Sequence, residues 1–269
     1  MDNLKHSTQE WLDAYELDKI PKVKTTITIL TRDRVGSLER LLTSISKRTF
    51  DLSHIAVIVT HDDDDPASAR YLAGQVFPFP VTIRSVPRSD WHGQDYWNPM
   101  AEIAAKDSDV IWILCDDTEI ITDGWDAILC NVLSQRGDRK AWYIGVEDST
   151  PLPGGFNSIK SPPYSTMPML TREAYLAAGF FMWPSIATWG NDLALYIMWA
   201  QECLNRTIAI PEIVIAHHCQ HNHTTGQDNL NKRVEQLHIR NIHEVMRVMN
   251  AECPIHAERI AKILKERGE

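Results

Sequence analysis

Between Val23 and Trp125, short apolar runs rich in β-branched residues alternate with stretches whose apolar positions recur every three to four residues. V-K-T-T-I-T-I-L (Val23 to Leu30) reads as a first strand, and a helix follows from Gly36-Ser37, its apolar face formed by Leu38, Leu41, Leu42 and Ile45. H-I-A-V-I-V-T (His54 to Thr60) reads as a second strand, Ala67 to Gln75 as a helix, Val81 to Val86 as a third strand and Asn98 to Lys106 as a helix. The run Val110 to Leu114 has no polar position, as expected of a strand covered on both faces in the middle of a parallel sheet. Four strand–helix alternations in succession predict right-handed βαβ units and a mostly parallel α/β sheet flanked by helices.

Beyond a helix at Trp125 to Leu133 the rhythm changes. Lys140 to Val146 reads as a strand, Thr150 to Pro168 as a long Pro/Gly/Ser-rich loop, Thr166 to Thr171 as a short strand and Arg172 to Ala178 as a short helix. Asn191 to Asn205 predicts a longer helix, and Thr207 to Ala216 a last strand interrupted by Pro211. Leu230 to Met249 and Ile255 to Leu264 predict closing helices, the last started by Pro254. At the other end, Ser7 and Glu10 have capping-box spacing ahead of Trp11, Leu12, Tyr15 and Leu17. The expected organisation is an N-terminal helical segment over 1–22, an α/β domain over 23–228 and a C-terminal helical extension over 229–269.

Acidic residues gather where strands end. Cys115, Asp116, Asp117 and Glu119 follow the buried run, and Asp62 to Asp65 follow the second strand. Open α/β sheets keep their ligands at the carboxyl ends of their strands, and clustered carboxylates repel one another unless a cation sits among them. A hard divalent ion with oxygen ligands, Mn2+ or Mg2+, is the expected cofactor, with capping of the following turn as the alternative role for Asp116 and Asp117. The D-S-D at Asp107 to Asp109 precedes its strand and reads as a solvated turn. His217, His218, His221 and His223 surround Cys219 at the end of the last strand, but one cluster without a separated second pair is a weak zinc signal.

Composition narrows the partners. The 269 residues carry a formal net charge of −9, which disfavours a generic basic nucleic-acid-binding surface and favours small-molecule chemistry. Five scattered cysteines without a CxxC pair predict free thiols in a reducing compartment, so a cytoplasmic location is expected. No apolar run approaches the roughly 20 residues needed to span a bilayer.

The segment I-T-I-L-T-R-D-R-V-G-S-L-E-R-L-L-T-S-I (Ile27 to Ile45), the strand trailing into Asp62 to Asp65, and I-L-C-D-D-T-E-I-I-T-D-G-W (Ile113 to Trp125) together resemble the nucleotide-sugar-dependent glycosyltransferases of the GT-A fold, family-two type. The resemblance covers about 23 to 220. It implies a nucleotide-binding half over about 23–125, an acceptor half over about 126–228, and transfer of a sugar from a donor, expected to be UDP-linked, to an acceptor hydroxyl with inversion. Thr31 and Arg32 would line the nucleotide pocket, and Asp62 and Asp64 would hydrogen-bond the base. Asp117 would bind the metal ion, Asp116 would support ribose or metal, and His217 or His218 would complete the metal shell. Asp192 would be the catalytic base, with helix capping by Asn191 or Asp192 as the alternative. Trp189 is the candidate sugar platform among Phe180, Phe181, Trp183, Trp189 and Trp199, most of which read as core.

Cys115 departs from the pattern, standing where such enzymes usually carry the first acid of the metal motif. Two other readings therefore stay open: a nucleotidyltransferase, and a catalytically inactive nucleotide- or sugar-binding module with the same fold.

Overall fold

The computed structural model describes residues 21–149, 164–187, 190–218 and 242–269. Residues 1–20 of the N-terminal segment expected over 1–22, Trp189, Cys219, His221, His223, most of the 150–168 loop and the first part of the Leu230 to Met249 helix lie outside them.

The first half follows the alternation read from sequence. Strand β1 (Thr25–Thr31) leads to helix α1 (Val35–Arg48), β2 (Ile55–Asp62) to α2 (Pro66–Ala73), β3 (Val81–Val86) to α3 (Asn98–Ala104), and β4 (Val110–Cys115) to a short β5 (Thr118–Ile120) and α4 (Trp125–Ser134). In the second half come β6 (Tyr143–Asp148), β7 (Met169–Thr171), α5 (Arg172–Ala178), α6 (Asn191–Trp199), β8 (Thr207–His217) and α7 (Cys253–Glu266). The strands form one sheet in the order β3-β2-β1-β4-β7-β6-β8-β5. The first four run parallel, while β7 pairs antiparallel with both β4 and β6, and β5 pairs antiparallel with β8.

Side-chain alternation along β4 explains its unbroken apolar run. Val110, Trp112 and Leu114 enter a core shared with Leu38 and Leu41 of α1 and Trp125 and Ile128 of α4. Ile111 and Ile113 enter the opposite core with Met100 of α3, Leu195 of α6 and Ile260 of α7. The result is a three-layer arrangement with the sheet in the middle. Trp112 is fully buried, and its indole N–H donates to the Met167 carbonyl at 3.0 Å.

Three local features differ from the sequence reading. The helix expected over Asn191 to Asn205 stops at Trp199. A turn follows in which Asn205 takes a left-handed φ of 45° and aims the chain into β8. The three-residue β5 was not anticipated, because its only strong pairing is with β8. Pro211 stays within β8, but at a bulge: Val146 pairs with Ile210 and Glu147 with Val214, so Pro211 to Ile213 bridge a register shift. A proline, lacking the ladder donor, fits there. Among the described residues no helix is long and apolar enough to cross a membrane.

β1 is the turning point of the topology. The chain builds outward through β2 and β3 on one side of it, then returns to lay β4 on the other, which opens a crevice at the carboxyl ends of β1 and β4.

Candidate active site

The three residues that leave β1, Arg32-Asp33-Arg34, organise that crevice. Asp33 has a left-handed φ of 53°, and its N–H donates to Asp65 Oδ2 at 2.9 Å. The two flanking arginines each reach a separate carboxylate group.

Arg32 turns to the end of β2. Its Nε donates to Asp62 Oδ2, and its NH2 reaches Asp62 Oδ1 at 3.3 Å, the Ser89 carbonyl at 3.1 Å and the Tyr96 hydroxyl at 3.2 Å. Tyr96 in turn donates to Asp62 Oδ1 at 2.6 Å. Asp62 is fully buried, so the oxygens expected to meet a base are already held by Arg32 and Tyr96. Asp64 is exposed, with Arg88 NH2 3.0 Å away. Asp65 caps α2, accepting from Ser68 N–H at 3.0 Å. Beside this knot, burial and then the charge of Arg32 push His92 down to about 4.

Arg34 turns to the end of β4. Its NH2 lies 2.5 Å from Asp116 Oδ1, its Nε donates to Asp116 Oδ2 at 3.1 Å, and its NH1 donates to Asp117 Oδ2 at 3.0 Å. Thr31, fully buried, donates its hydroxyl to Asp116 Oδ2 at 2.8 Å, so it supports the acid from beneath.

β8 delivers the histidines. Because Thr118 pairs with His217 across the β5–β8 ladder, His217 Nε2 comes 3.2 Å from Asp117 Oδ1, and its Nδ1 lies 3.8 Å from Asp148 Oδ2. The next residue points the other way: His218 Nε2 lies 2.9 Å from Glu119 Oε2, while its N–H donates to the Asp117 carbonyl at 2.7 Å. The structure thus brings His217, and not His218, to Asp117.

Environment pushes the two neighbouring acids apart. Burial, partly offset by Arg34, raises Asp116 to about 6. Asp117 is also buried, but His217 and Arg34 outweigh burial and hold it below the usual carboxylate range. Burial works against a charged His217, yet Asp117 and Asp148 raise its affinity for a proton overall. Cys115, in the acid's place, stays a neutral thiol: burial and the charges of Asp117 and Asp116 push it well up.

Asp192 stands in the first turn of α6, and its charge is felt at Cys115. Burial raises its proton affinity, and the Tyr164 hydroxyl donates to its Oδ2. The N-cap of α6 is Gly190, which has no side chain, and backbone hydrogen bonds at Leu193, Asp192 and Gly190 act on the Asp192 carboxylate against burial. Asn191 instead fixes the preceding loop, accepting from Trp183 N–H at 2.5 Å and donating to the Ile186 carbonyl at 2.9 Å. Gly190 makes that corner possible, since its φ is 85° and a Cβ would stand 2.8 Å from Val245 Cγ2. Trp183, Trp199, Phe180 and Phe181 are core.

Asp107 to Asp109 lie at the far end of the sheet. There Lys24 N–H donates to Asp109 Oδ2 at 2.9 Å and Lys24 Nζ reaches Asp107 at 2.9 Å, tying the starts of β1 and β4 together.

Arg34, Tyr96, Arg88 and Tyr164 were missed in the sequence. Arg34 carried a signal, being the second arginine of T-R-D-R just past the strand end; Tyr96 and Tyr164 had none.

Asp117 and His217 fit a divalent ion. An octahedral ion at 2.0–2.1 Å separates adjacent ligands by about 3 Å, close to the 3.2 Å between these donors. Mixed oxygen and imidazole ligation suits Mn2+. Among the described residues no group of three or more His, Cys, Asp or Glu is placed to hold a metal ion.

No protein-family model matches the sequence, and no curated protein matches it by sequence. Solved structures do match by fold. S. aureus TarS 1–349 in complex with UDP aligns over 91% of this chain and 71% of its own, at TM-score 0.57 and 12% identity. Mannosyltransferase PcManGT from Pyrobaculum calidifontis, in complex with GDP-Man and Mn2+, aligns over 99% of this chain and 85% of its own, at TM-score 0.57 and 14% identity. TarS 1–349 in complex with UDP-GlcNAc aligns over 90% and 71%, at TM-score 0.56 and 11% identity. This chain has the GT-A glycosyltransferase fold.

Proposed function

We propose that the protein is a metal-dependent glycosyltransferase that moves a sugar from a nucleoside diphosphate donor, UDP-linked by preference, to an acceptor hydroxyl with inversion. The observation that carries this reading is the meeting, at the carboxyl ends of β1, β4 and β8, of Arg34, Asp117 and His217, with Asp192 of α6 close enough for its charge to reach Cys115. Residues 23–125 supply the nucleotide side and 126–228 the acceptor side.

Asp117 and His217 would hold Mn2+ or Mg2+. The ion, when bound, would neutralise the negative charge that grows on the diphosphate as the sugar–oxygen bond breaks. Asp192 takes the proton from the attacking acceptor hydroxyl on its carboxylate. Burial suits it to this by raising its basicity, and Tyr164 orients it. A base on the face opposite the leaving group gives inversion.

Thermal unfolding with UDP, GDP or CDP, with and without Mn2+, tests the donor: stabilisation by one nucleotide, deepened by Mn2+, is expected. Absence of any shift would overturn the reading. Asp192→Asn is expected to keep that stabilisation while transfer falls by about 100-fold or more, and unchanged transfer would remove Asp192 as the base. The replacement of an acid by Cys115 favours a second reading, a binding module that retains nucleotide affinity without turnover. Nucleotide-induced stabilisation without hydrolysis of any nucleotide sugar would select it.

A further inference from the structure

The guanidinium of Arg34 stands where a cation would be expected. It contacts both acids, at 2.5 and 3.1 Å on Asp116 and 3.0 Å on Asp117. Its side chain is 44% exposed, whereas those of Asp116 and Asp117 are 0% and 12% exposed, so it lies between the acids and solvent. An ion approaching Asp117 Oδ2 from outside meets a like charge already in place. The remaining protein ligand is His217, and two protein ligands leave most of an octahedral shell to water and substrate.

A nucleoside diphosphate changes both conditions. Its phosphate oxygens supply the missing ligands, and its negative charge offers the guanidinium a partner that it can grip in bidentate fashion. Arg34 sits at the amino end of α1 on the short Arg32-Asp33-Arg34 loop, so its long side chain can exchange partners while the helix stays fixed. We propose that Arg34 is a charge gate: it neutralises Asp116 and Asp117 while the donor is absent, and it passes to the diphosphate when donor and metal ion arrive, so that the two load together. This rests on the metal-dependent reading above. It assigns Arg34 a positioning role in loading and no part in bond cleavage.

The test is Mn2+ binding, read from the electron paramagnetic resonance signal of free Mn2+, for wild type, Arg34→Gln and Arg34→Lys, each with and without UDP. UDP is expected to tighten Mn2+ binding to the wild type about tenfold or more. Without UDP, Arg34→Gln is expected to bind Mn2+ about tenfold more tightly than the wild type, with Arg34→Lys between them. In Arg34→Gln the tightening by UDP should shrink, and adding Asp117→Asn should abolish binding. Equal Mn2+ affinity in wild type and Arg34→Gln overturns the proposal, as does wild-type binding that UDP leaves unchanged. Absence of Mn2+ binding in all three proteins also overturns it; if UDP alone still raised their unfolding temperatures, the nucleotide-sugar reading would stand and the metal would go. The wild-type comparison with and without UDP decides the matter even if a variant fails to fold.

Discussion

Arg32 and Arg34 are two residues apart, and each binds carboxylates at a strand end, yet they make opposite kinds of site. Arg32 and Asp62 form a closed knot. The acid is completely buried, the arginine side chain is 26% exposed, Tyr96 and the Ser89 carbonyl hydrogen-bond the pair, and Arg88 Nε stands 3.4 Å from Asp62 Oδ2. Arg34 closes nothing: it lies over Asp116 and Asp117 from the solvent side, next to a histidine with which Asp117 can share an ion. An acid crowded by several donors fixes a loop, whereas an acid pair covered by one half-exposed partner can exchange it for a ligand. The loop between them serves both ends, because anchoring Arg32 is what holds Arg34 in front of its acids.

The largest effect that would break this comparison is on the closed side. Asp62→Ala removes the fully buried acid that holds Arg32 and Tyr96 and is expected to lower the unfolding free energy by about 4 kcal/mol, measured by urea denaturation; a loss equal to that of an ordinary surface substitution would show that the knot is not structural. Arg32→Gln should cost somewhat less, about 3 kcal/mol, because Tyr96 still donates to the acid. Asp117→Ala should leave the urea midpoint near that of the wild type but remove the extra stabilisation that Mn2+ gives in the presence of UDP.

A pH titration sharpens the contrast. His92, beside Arg32, is held neutral in the fold at values down to about 4, against 6.5 for a free histidine. The unfolded chain takes up that proton first as pH falls, so the contribution of His92 is complete above pH 6.5 and disappears by about pH 4. The wild type should therefore lose more stability across that window than His92→Gln, and parallel curves for the two proteins would count against it. For Arg34→Gln the change is expected chiefly in ion binding, because Thr31 still donates to the buried Asp116.

What could be read from the sequence was what is local. Val23 to Leu30, His54 to Thr60 and Val110 to Leu114 carry their own strand signal, and the helix through Leu38, Leu41, Leu42 and Ile45 carries its own period, so the α/β alternation was legible before any contact was known. Asp117 and His217 were legible as strand-end chemistry. Their meeting was not, because it depends on β5, three residues whose partner lies about a hundred positions downstream. Nor could a count of acids tell Asp62 from Asp117. Both follow a buried strand, and only the arginine lying on each decides whether its oxygens are spoken for. Asn205 shows the same limit on a smaller scale, since the helix pattern runs on to it while the backbone has already turned.

The bulge in β8 carries a last consequence. Before Pro211 the strand takes its register from Tyr143 to Val146, and after Ile213 it takes it from Glu147, Asp148 and β5. The outer segment is itself pinned to the core by Ile215, which is fully buried. A slip by one residue would turn every outer side chain to the opposite face. His217 would leave Asp117, and His218 would arrive in its place. Ile215 would leave the core with it, so the bulge and this one buried side chain together fix which of the two consecutive histidines meets the acid.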